Sequence, residues 1–164
     1  MTSIAKTSTT RRTHRSIGLI AVALTTATAL AFTAAPAMAD TDDYPSAWRD
    51  SGQDSQFDDW GYYNRECTSW VAWRLHTMGF EMPYGVGNAD AWDDWARADG
   101  HTVDSTPAVN AVAQHDSTGG GHVAMVIAVN DDGTIAISEY NGDYTGHYGE
   151  RTVSASDYVY LHLI

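Results

Sequence analysis

The amino-acid sequence predicts an α+β fold, in which N-terminal helices pack on a small antiparallel β-sheet. Two stretches with the helical spacing of apolar residues come first, over residues 68–78 and 88–99. The period then changes to strand-like runs over residues 123–129, 134–140 and 158–163. Helices that precede antiparallel strands, rather than alternate with parallel ones, are typical of the α+β class.

Both helices are marked by their ends as well as by their spacing. The first places apolar residues at i, i+4 and i+7 before a glycine, namely Val71, Leu75, Met78 and Gly79. In the second, Asn88 is a candidate N-cap and Gly100 follows the last turn. Trp92 and Trp95 lie three residues apart, so we expect one helical face to pack on the core.

The first two strands predict a β-hairpin. Residues 130–133, Asn-Asp-Asp-Gly, separate the two runs and have the composition of a tight turn. A turn centred on residues 131–132 brings the start of the first strand opposite the end of the second. Residues near 122 and 140 should therefore face each other across the ladder.

The segment before the first helix predicts export. It opens with four basic residues and no acidic one, namely Lys6, Arg11, Arg12 and Arg15. An apolar stretch follows over residues 17–35, and Ala37-Met38-Ala39 fits a signal-peptidase site. We expect residues 1–39 to be a signal peptide and the protein to be secreted. The alternative is an uncleaved membrane anchor, because the apolar stretch approaches bilayer-spanning length.

The remaining chain is strongly acidic. Beyond residue 39 it keeps all 21 Asp and Glu but only five arginines and no lysine, a net charge of about −16. Such a surface repels nucleic acid and anionic lipid, so we expect neither a nucleic-acid partner nor stable membrane association after cleavage. Residues 40–59 are polar and Asp-rich and predict a loosely packed N-terminal arm. Residues 60–164 then form one domain, which we expect to be a monomer.

Cys67 is the single cysteine of the chain, so it has no partner for an intramolecular disulfide. It stands where the first helix begins. The helix dipole and the unpaired N–H groups there favour a thiolate. Its position in an exported protein points to a nucleophile, and the alternative is an inert buried thiol.

His122 and the end of the hairpin supply candidate partners for this thiol. His122 follows Gly119-Gly120-Gly121 and opens the first strand, although a surface histidine at a strand edge is the plain alternative. Glu139 and Asn141 close the opposite strand, and their spacing of two predicts the same face. Either could accept a hydrogen bond from the imidazole and fix its tautomer.

Two blocks of this chain surround the candidate residues: YNRECTSWVAWRL over residues 63–75, and GHVAMV over residues 121–126 with ISEYN over residues 137–141. They resemble the nucleophile helix and the second signature block of the CHAP family, the cysteine- and histidine-dependent amidohydrolases and peptidases. The resemblance runs from about Trp60 to Ile164 and implies a papain-like fold.

The resemblance also implies an activity and roles. Cys67 would be the nucleophile, His122 the base, Glu139 the orienting residue and Asn141 a supporting polar group. The substrate would be bacterial peptidoglycan, cut at a muramoyl amide or within the stem peptide. No metal or other cofactor is required. The alternatives are a Cys-His hydrolase of another amide and a catalytically silent wall-binding or surface-interaction domain.

Three positions depart from the family pattern. Glu66 stands where many members carry glutamine, whose amide can help to hold the oxyanion, so here backbone N–H groups should carry more of that task. Asp58 and Asp59 are adjacent rather than spaced, which argues against a calcium site. Asn110 stands where we expect glycine, so the turn that a glycine would form at this position is less strongly predicted.

Overall fold

A single antiparallel sheet forms the centre of the computed structural model, which describes residues 41–117 and 119–164. Six strands lie in these residues: β1 (Thr102–Asp104), β2 (Val112–His115), β3 (His122–Val129), β4 (Thr134–Tyr140), β5 (Tyr148–Ser154) and β6 (Val159–His162). Their order across the sheet is β1-β6-β2-β3-β4-β5, with every neighbouring pair antiparallel. The predicted signal peptide, residues 1–39, lies outside the described residues. None of the described helices has the length and apolar character needed to cross a membrane.

The helices precede the sheet, as predicted. They are α1 (Ser46–Arg49), α2 (Cys67–Thr77) and α3 (Trp92–Ala98). Helix α2 packs on β3 and β4, whereas α3 packs on β1 and β6. The predicted second helix is divided, because residues 89–91 form a 3₁₀ turn before α3. The predicted α+β fold, with N-terminal helices on an antiparallel sheet, is confirmed.

The core between helices and sheet explains the apolar spacing of α2. Val71 and Leu75 are fully buried, and they belong to the same cluster as Val112, Val123 and Leu161 of the sheet. Trp92 of α3 is also fully buried there, and Trp95 is partly buried beside it. The helical faces identified from the sequence are therefore the faces that pack.

Strands β3 and β4 pair as the predicted hairpin, because a longer connection between them is offset by a later shift in register. Its connection is one residue longer than expected, since Val129 pairs with Ile135 across residues 130–134. A register shift between Val126 and Ala128 then removes the extra residue. Met125 consequently pairs with Ser138, and continuing this register places residue 122 opposite residue 141.

The prediction that residues 40–59 form a loosely packed arm is wrong for residues 41–59. Tyr44 is only 1% exposed, and its ring lies against Trp70 and Tyr140 with centroids 6.0 and 4.9 Å away. The buried Asn64 amide donates to the carbonyls of Trp48 and Gly52 at 3.0 and 2.9 Å. Aromatic side chains within a polar segment thus anchor it into the core.

The turn at Asn110 forms, although asparagine stands there instead of the expected glycine. Its φ of +71° is left-handed, a conformation that asparagine tolerates better than most residues. Its backbone N–H donates to the carbonyl of Val126 at 2.8 Å, so the loop stays attached to β3.

Candidate active site

Cys67 is the first residue of α2, and the chain turns sharply to reach it. Glu66 at the N-cap is extended, whereas Arg65 before it is left-handed with φ +66°. Side-chain bonds of Arg65 to the carbonyls of Gly146 and Ser51, at 2.7 and 3.0 Å, hold this conformation. Its backbone N–H also donates to the Tyr44 hydroxyl at 3.3 Å. The thiol is thereby fixed at the start of a helix whose first N–H groups have no intrahelical acceptors.

His122 connects Cys67 to Glu139. The imidazole Nε2 donates to Oε2 of Glu139 at 2.7 Å. The Cys67 side chain is also within hydrogen-bonding reach of His122. Because Glu139 takes Nε2, the ring nitrogen left for Cys67 is Nδ1. Three residues singled out in the sequence therefore form one connected group.

The Glu139 carboxylate is buried and held from three sides. It is 4% exposed, and besides His122 it accepts from Nε and Nη2 of Arg151 at 2.6 and 3.2 Å. Gly142 closes the third side, because a Cβ at that position would overlap the carboxylate. Both of its oxygens therefore have charged donors, which a buried carboxylate requires.

These contacts set the protonation states of the site. Burial alone would lower the pKa of His122, but hydrogen bonds and charges from Cys67 and Glu139 outweigh it and raise that pKa to about 9. Burial opposes ionisation of Glu139, yet His122 and Arg151 hold the pKa of its carboxyl below the usual range. At neutral pH the group therefore contains a protonated imidazole, which lies between an ionised carboxylate and the Cys67 side chain.

Asn141 takes a different position from the one expected. Strand β4 ends at Tyr140, and Asn141 is left-handed with φ +59°, so strand alternation does not apply to it. Its Nδ2 donates to both carboxylate oxygens of Glu66, at 3.0 and 2.9 Å, and its Oδ1 accepts from the N–H of Gly146. Asn141 thus contacts the residue before the nucleophile, whereas Glu139 contacts the imidazole.

Glu66 joins the helix side of the site to the sheet side. It accepts from Asn141 and, at 2.7 Å, from Nε2 of Gln53. Burial raises the pKa of its carboxyl and the nearby Asp54 adds to the rise, while the bonds from Gln53 and Asn141 oppose it. All of these side-chain donors point at Glu66, so this carboxylate positions the loop after β4 relative to Cys67.

Two residues of the site were missed in the sequence, namely Arg151 and Gly142. Arg151 lies on β5, an edge strand with an exposed middle and no apolar alternation that would have predicted it. Gly142 is important only because the Glu139 side chain lies against it. In residues 41–117 and 119–164, no group of three or more His, Cys, Asp or Glu side chains is placed to hold a metal ion.

Comparison with known proteins identifies relatives of this region. A family model described as the CHAP domain matches residues 57–141. The chain is 39% identical over 107 residues to the N-acetylmuramoyl-L-alanine amidase sle1 of Staphylococcus aureus strain USA300. It is 36% identical over 111 residues to the enzyme of the same name from Staphylococcus epidermidis strain ATCC 12228. Each alignment covers 63% of this chain, but the chain spans only about a third of those relatives, 31% and 32%.

The fold is also found among solved structures. A crystal structure of an N-acetylmuramoyl-L-alanine amidase from Staphylococcus aureus superposes with a TM-score of 0.59 at 26% identity. The superposition covers 74% of this chain and 37% of that one.

Proposed function

Because the chain belongs to the CHAP domain family, we propose that it is a secreted cysteine amidohydrolase that cleaves amide bonds of bacterial peptidoglycan. The observation that carries the proposal is the placement of His122, with Glu139 at its Nε2 and Cys67 on its other side. The names of the relatives support peptidoglycan as the substrate class, since both are N-acetylmuramoyl-L-alanine amidases.

The reaction is acyl transfer through a thioester. The Cys67 thiolate attacks the amide carbonyl, and N–H groups at the start of α2 stabilise the negative charge that develops on oxygen. As the C–N bond breaks, His122 gives its proton to the leaving nitrogen, which departs as an amine. Water then attacks the thioester and gives a proton to His122, and the C–S bond breaks to release a carboxylic acid.

Glu139 and Arg151 hold the base in position through this cycle. Glu139 fixes the imidazole with Nε2 protonated, so Nδ1 is the atom that exchanges the proton near the thiol. Arg151 compensates the buried carboxylate and keeps it ionised. Glu66 cannot donate to an oxyanion while ionised, so stabilisation of that charge rests on the backbone.

The test is hydrolysis of purified cell walls by residues 40–164, followed as loss of turbidity. Cys67→Ala and His122→Ala should each lose at least about three decades of rate, because nucleophile and base act as a unit. His76→Ala is the matched control, since His76 pairs with Glu81 at the far end of α2. Wall clearance by Cys67→Ala at the wild-type rate would end the proposal and leave a silent wall-binding domain as the alternative.

We also propose that residues 1–39 are a signal peptide, which is removed when the protein is secreted. Cleavage after Ala39 should leave Asp40 as the first residue of the mature protein. Intact mass spectrometry of the exported product measures this directly. A product that retains residues 1–39 would instead make the chain a membrane-anchored protein.

A further inference from the structure

Two cavities of similar size meet at the nucleophile. One, here called the aromatic cavity, has a volume of about 470 Å³ and is lined by Phe57, Tyr63 and several glycines. The other, the arginine cavity, has a volume of about 440 Å³ and is lined by His122 and Arg151. Cys67 lines both, so a substrate bound across the thiol extends one half into each cavity.

The position of His122 gives this cleft a direction. The leaving nitrogen must receive its proton from His122, so the amine half of the substrate lies on the side where the imidazole is. His122 lines the arginine cavity and does not line the aromatic one. The acyl half, which becomes attached to Cys67, therefore occupies the aromatic cavity.

The aromatic cavity suits a neutral ring. Phe57 and Tyr63 form an isolated antiparallel bridge, and their rings stack with centroids 4.2 Å apart. Both side chains remain exposed, at 56% and 48%, and neither belongs to a core cluster, so their rings form an exposed apolar patch that a ligand can contact. Aromatic faces stack on the C–H faces of sugars. The charged residues that line this cavity are the acidic Asp54 and Glu66, which would repel a carboxylate.

The arginine cavity suits a peptide that carries a carboxylate. Among the described residues that line the two cavities, Arg151 is the one arginine. Although it pairs with Glu139, 46% of its side chain remains exposed. Its bonds to Glu139 and Tyr158 use Nε and Nη2. Asp157 and Glu66 also line this cavity, so the attraction for a carboxylate is local to the Arg151 guanidinium, which has no counterpart in the aromatic cavity.

We propose that the cleft binds a muramoyl–peptide junction in a single direction, with the neutral N-acetylmuramoyl group on Phe57 and Tyr63 and the carboxylate-bearing peptide at Arg151. The inference rests on the proposed peptidoglycan hydrolase function and specifies the residues that select the substrate. The bond cut is then the amide that joins the muramoyl lactyl carbonyl to the peptide nitrogen. The thioester forms on the sugar half, and the peptide leaves with a free amine.

The experiment uses three synthetic substrates: N-acetylmuramoyl-L-Ala-D-Glu, the same compound without its sugar ring, and the same compound with its carboxylates amidated. The sugar preference is the ratio of kcat/KM for the first and second substrates. Phe57→Ala and Tyr63→Ala should each lower this ratio about fivefold or more, because each removes a stacking face. Tyr144→Ala is the control, because Tyr144 is also an exposed aromatic residue but lines the other cavity.

Arg151 is tested through a second ratio, the carboxylate preference, measured with the first and third substrates. Arg151→Gln should lower this ratio about tenfold, and Arg151→Lys should restore part of it, because lysine retains the charge without the fork. Arg151 also holds Glu139 in position, and losing that contact should slow hydrolysis of both substrates by the same factor. The ratio of the two kcat/KM values therefore reports only the contact of Arg151 with the substrate carboxylate. The sugar preference should stay unchanged in both variants.

Two results would overturn the direction while leaving the proposed function intact. One is a sugar preference that Tyr63→Ala leaves unchanged or that Arg151→Gln lowers. The other is cleavage of walls within the stem peptide, which leaves alanine attached to muramic acid in the products. Absence of all hydrolysis by the wild type, or hydrolysis that survives in Cys67→Ala, would instead reject the proposed function itself.

Discussion

At the residue scale, His122 is the point on which the proposed chemistry depends. Its pKa of about 9 is a balance, in which burial disfavours the cation while Cys67 and Glu139 favour it more strongly. The cation persists up to that pH and is lost above it. Activity that needs a protonated His122 should therefore fall as the pH rises through about 9.

Replacing the carboxylate with an amide tests this balance. In Glu139→Gln the side chain can still accept from Nε2, but it no longer stabilises the imidazolium by charge, so the pKa of His122 falls. The alkaline limb of kcat/KM should move to lower pH, and the rate should fall by about two decades or more. Glu150→Gln is the matched control on the exposed surface of β5. An alkaline limb that stays near pH 9 in Glu139→Gln would contradict the role of this carboxylate.

Gly142 offers an independent test of the same contact. A Cβ there would overlap the Glu139 carboxylate, so Gly142→Ala must displace it from His122. A displacement of this kind should cost about 100-fold in kcat/KM. Gly149→Ala is the control, because Gly149 pairs with Glu139 across the sheet yet has open space for a Cβ. Equal rates for the two variants, with unchanged melting temperatures, would show that the packing of Glu139 is unimportant.

At the element scale, the N-terminal segment shapes the nucleophile loop. Tyr44 packs under Trp70 of α2 and Tyr140 of β4, and its hydroxyl bonds Ser69 and the backbone N–H of Arg65. One side chain thus joins the segment, the helix and the sheet next to Cys67. This contact connects stability with the geometry of the site.

Truncation of that side chain should destabilise the whole domain. Tyr44→Ala should lower the free energy of unfolding by about 3–5 kcal/mol, the range for a large aromatic residue removed from a core. Tyr44→Phe, which loses only the hydroxyl bonds, should cost about 1 kcal/mol. Urea unfolding at 25 °C measures both. A cost below about 1 kcal/mol for Tyr44→Ala would restore the interpretation of this segment as a loose arm.

The elements also show what the sequence could and could not predict. Strands β3 and β4 alternate clearly and join through a short turn, so the meeting of His122 and Glu139 followed from local pattern. Strand β5 has exposed middle residues, and its pairing with β4 is not indicated by any local pattern. The contact of Arg151 with Glu139 therefore could not be predicted from the sequence. Asn141 was misplaced because strand alternation ends one residue earlier. Tyr44 was missed because its partner Tyr140 lies 96 positions away in the chain.

At the scale of the whole molecule, the acidic charge should govern how the protein reaches its substrate. A net charge of about −16 beyond residue 39 is repelled by anionic wall polymers. Raising the ionic strength from 10 to 150 mM shortens the Debye length from about 30 to 8 Å. The rate on intact walls should therefore rise several-fold, whereas the rate on a small neutral substrate should not. A rate on walls that falls with salt would indicate attraction instead.

The most direct test of the central claim is the appearance of new amines in purified peptidoglycan. Acyl transfer to Cys67 predicts that the wild type releases one peptide amine for each bond cut, with a carboxylic acid formed on the acyl half. The Cys67→Ala variant, folded to the same melting temperature within a few degrees, should release none above the blank. Equal amine release by both proteins, or wall clearance by the wild type without any new amine, would contradict the account.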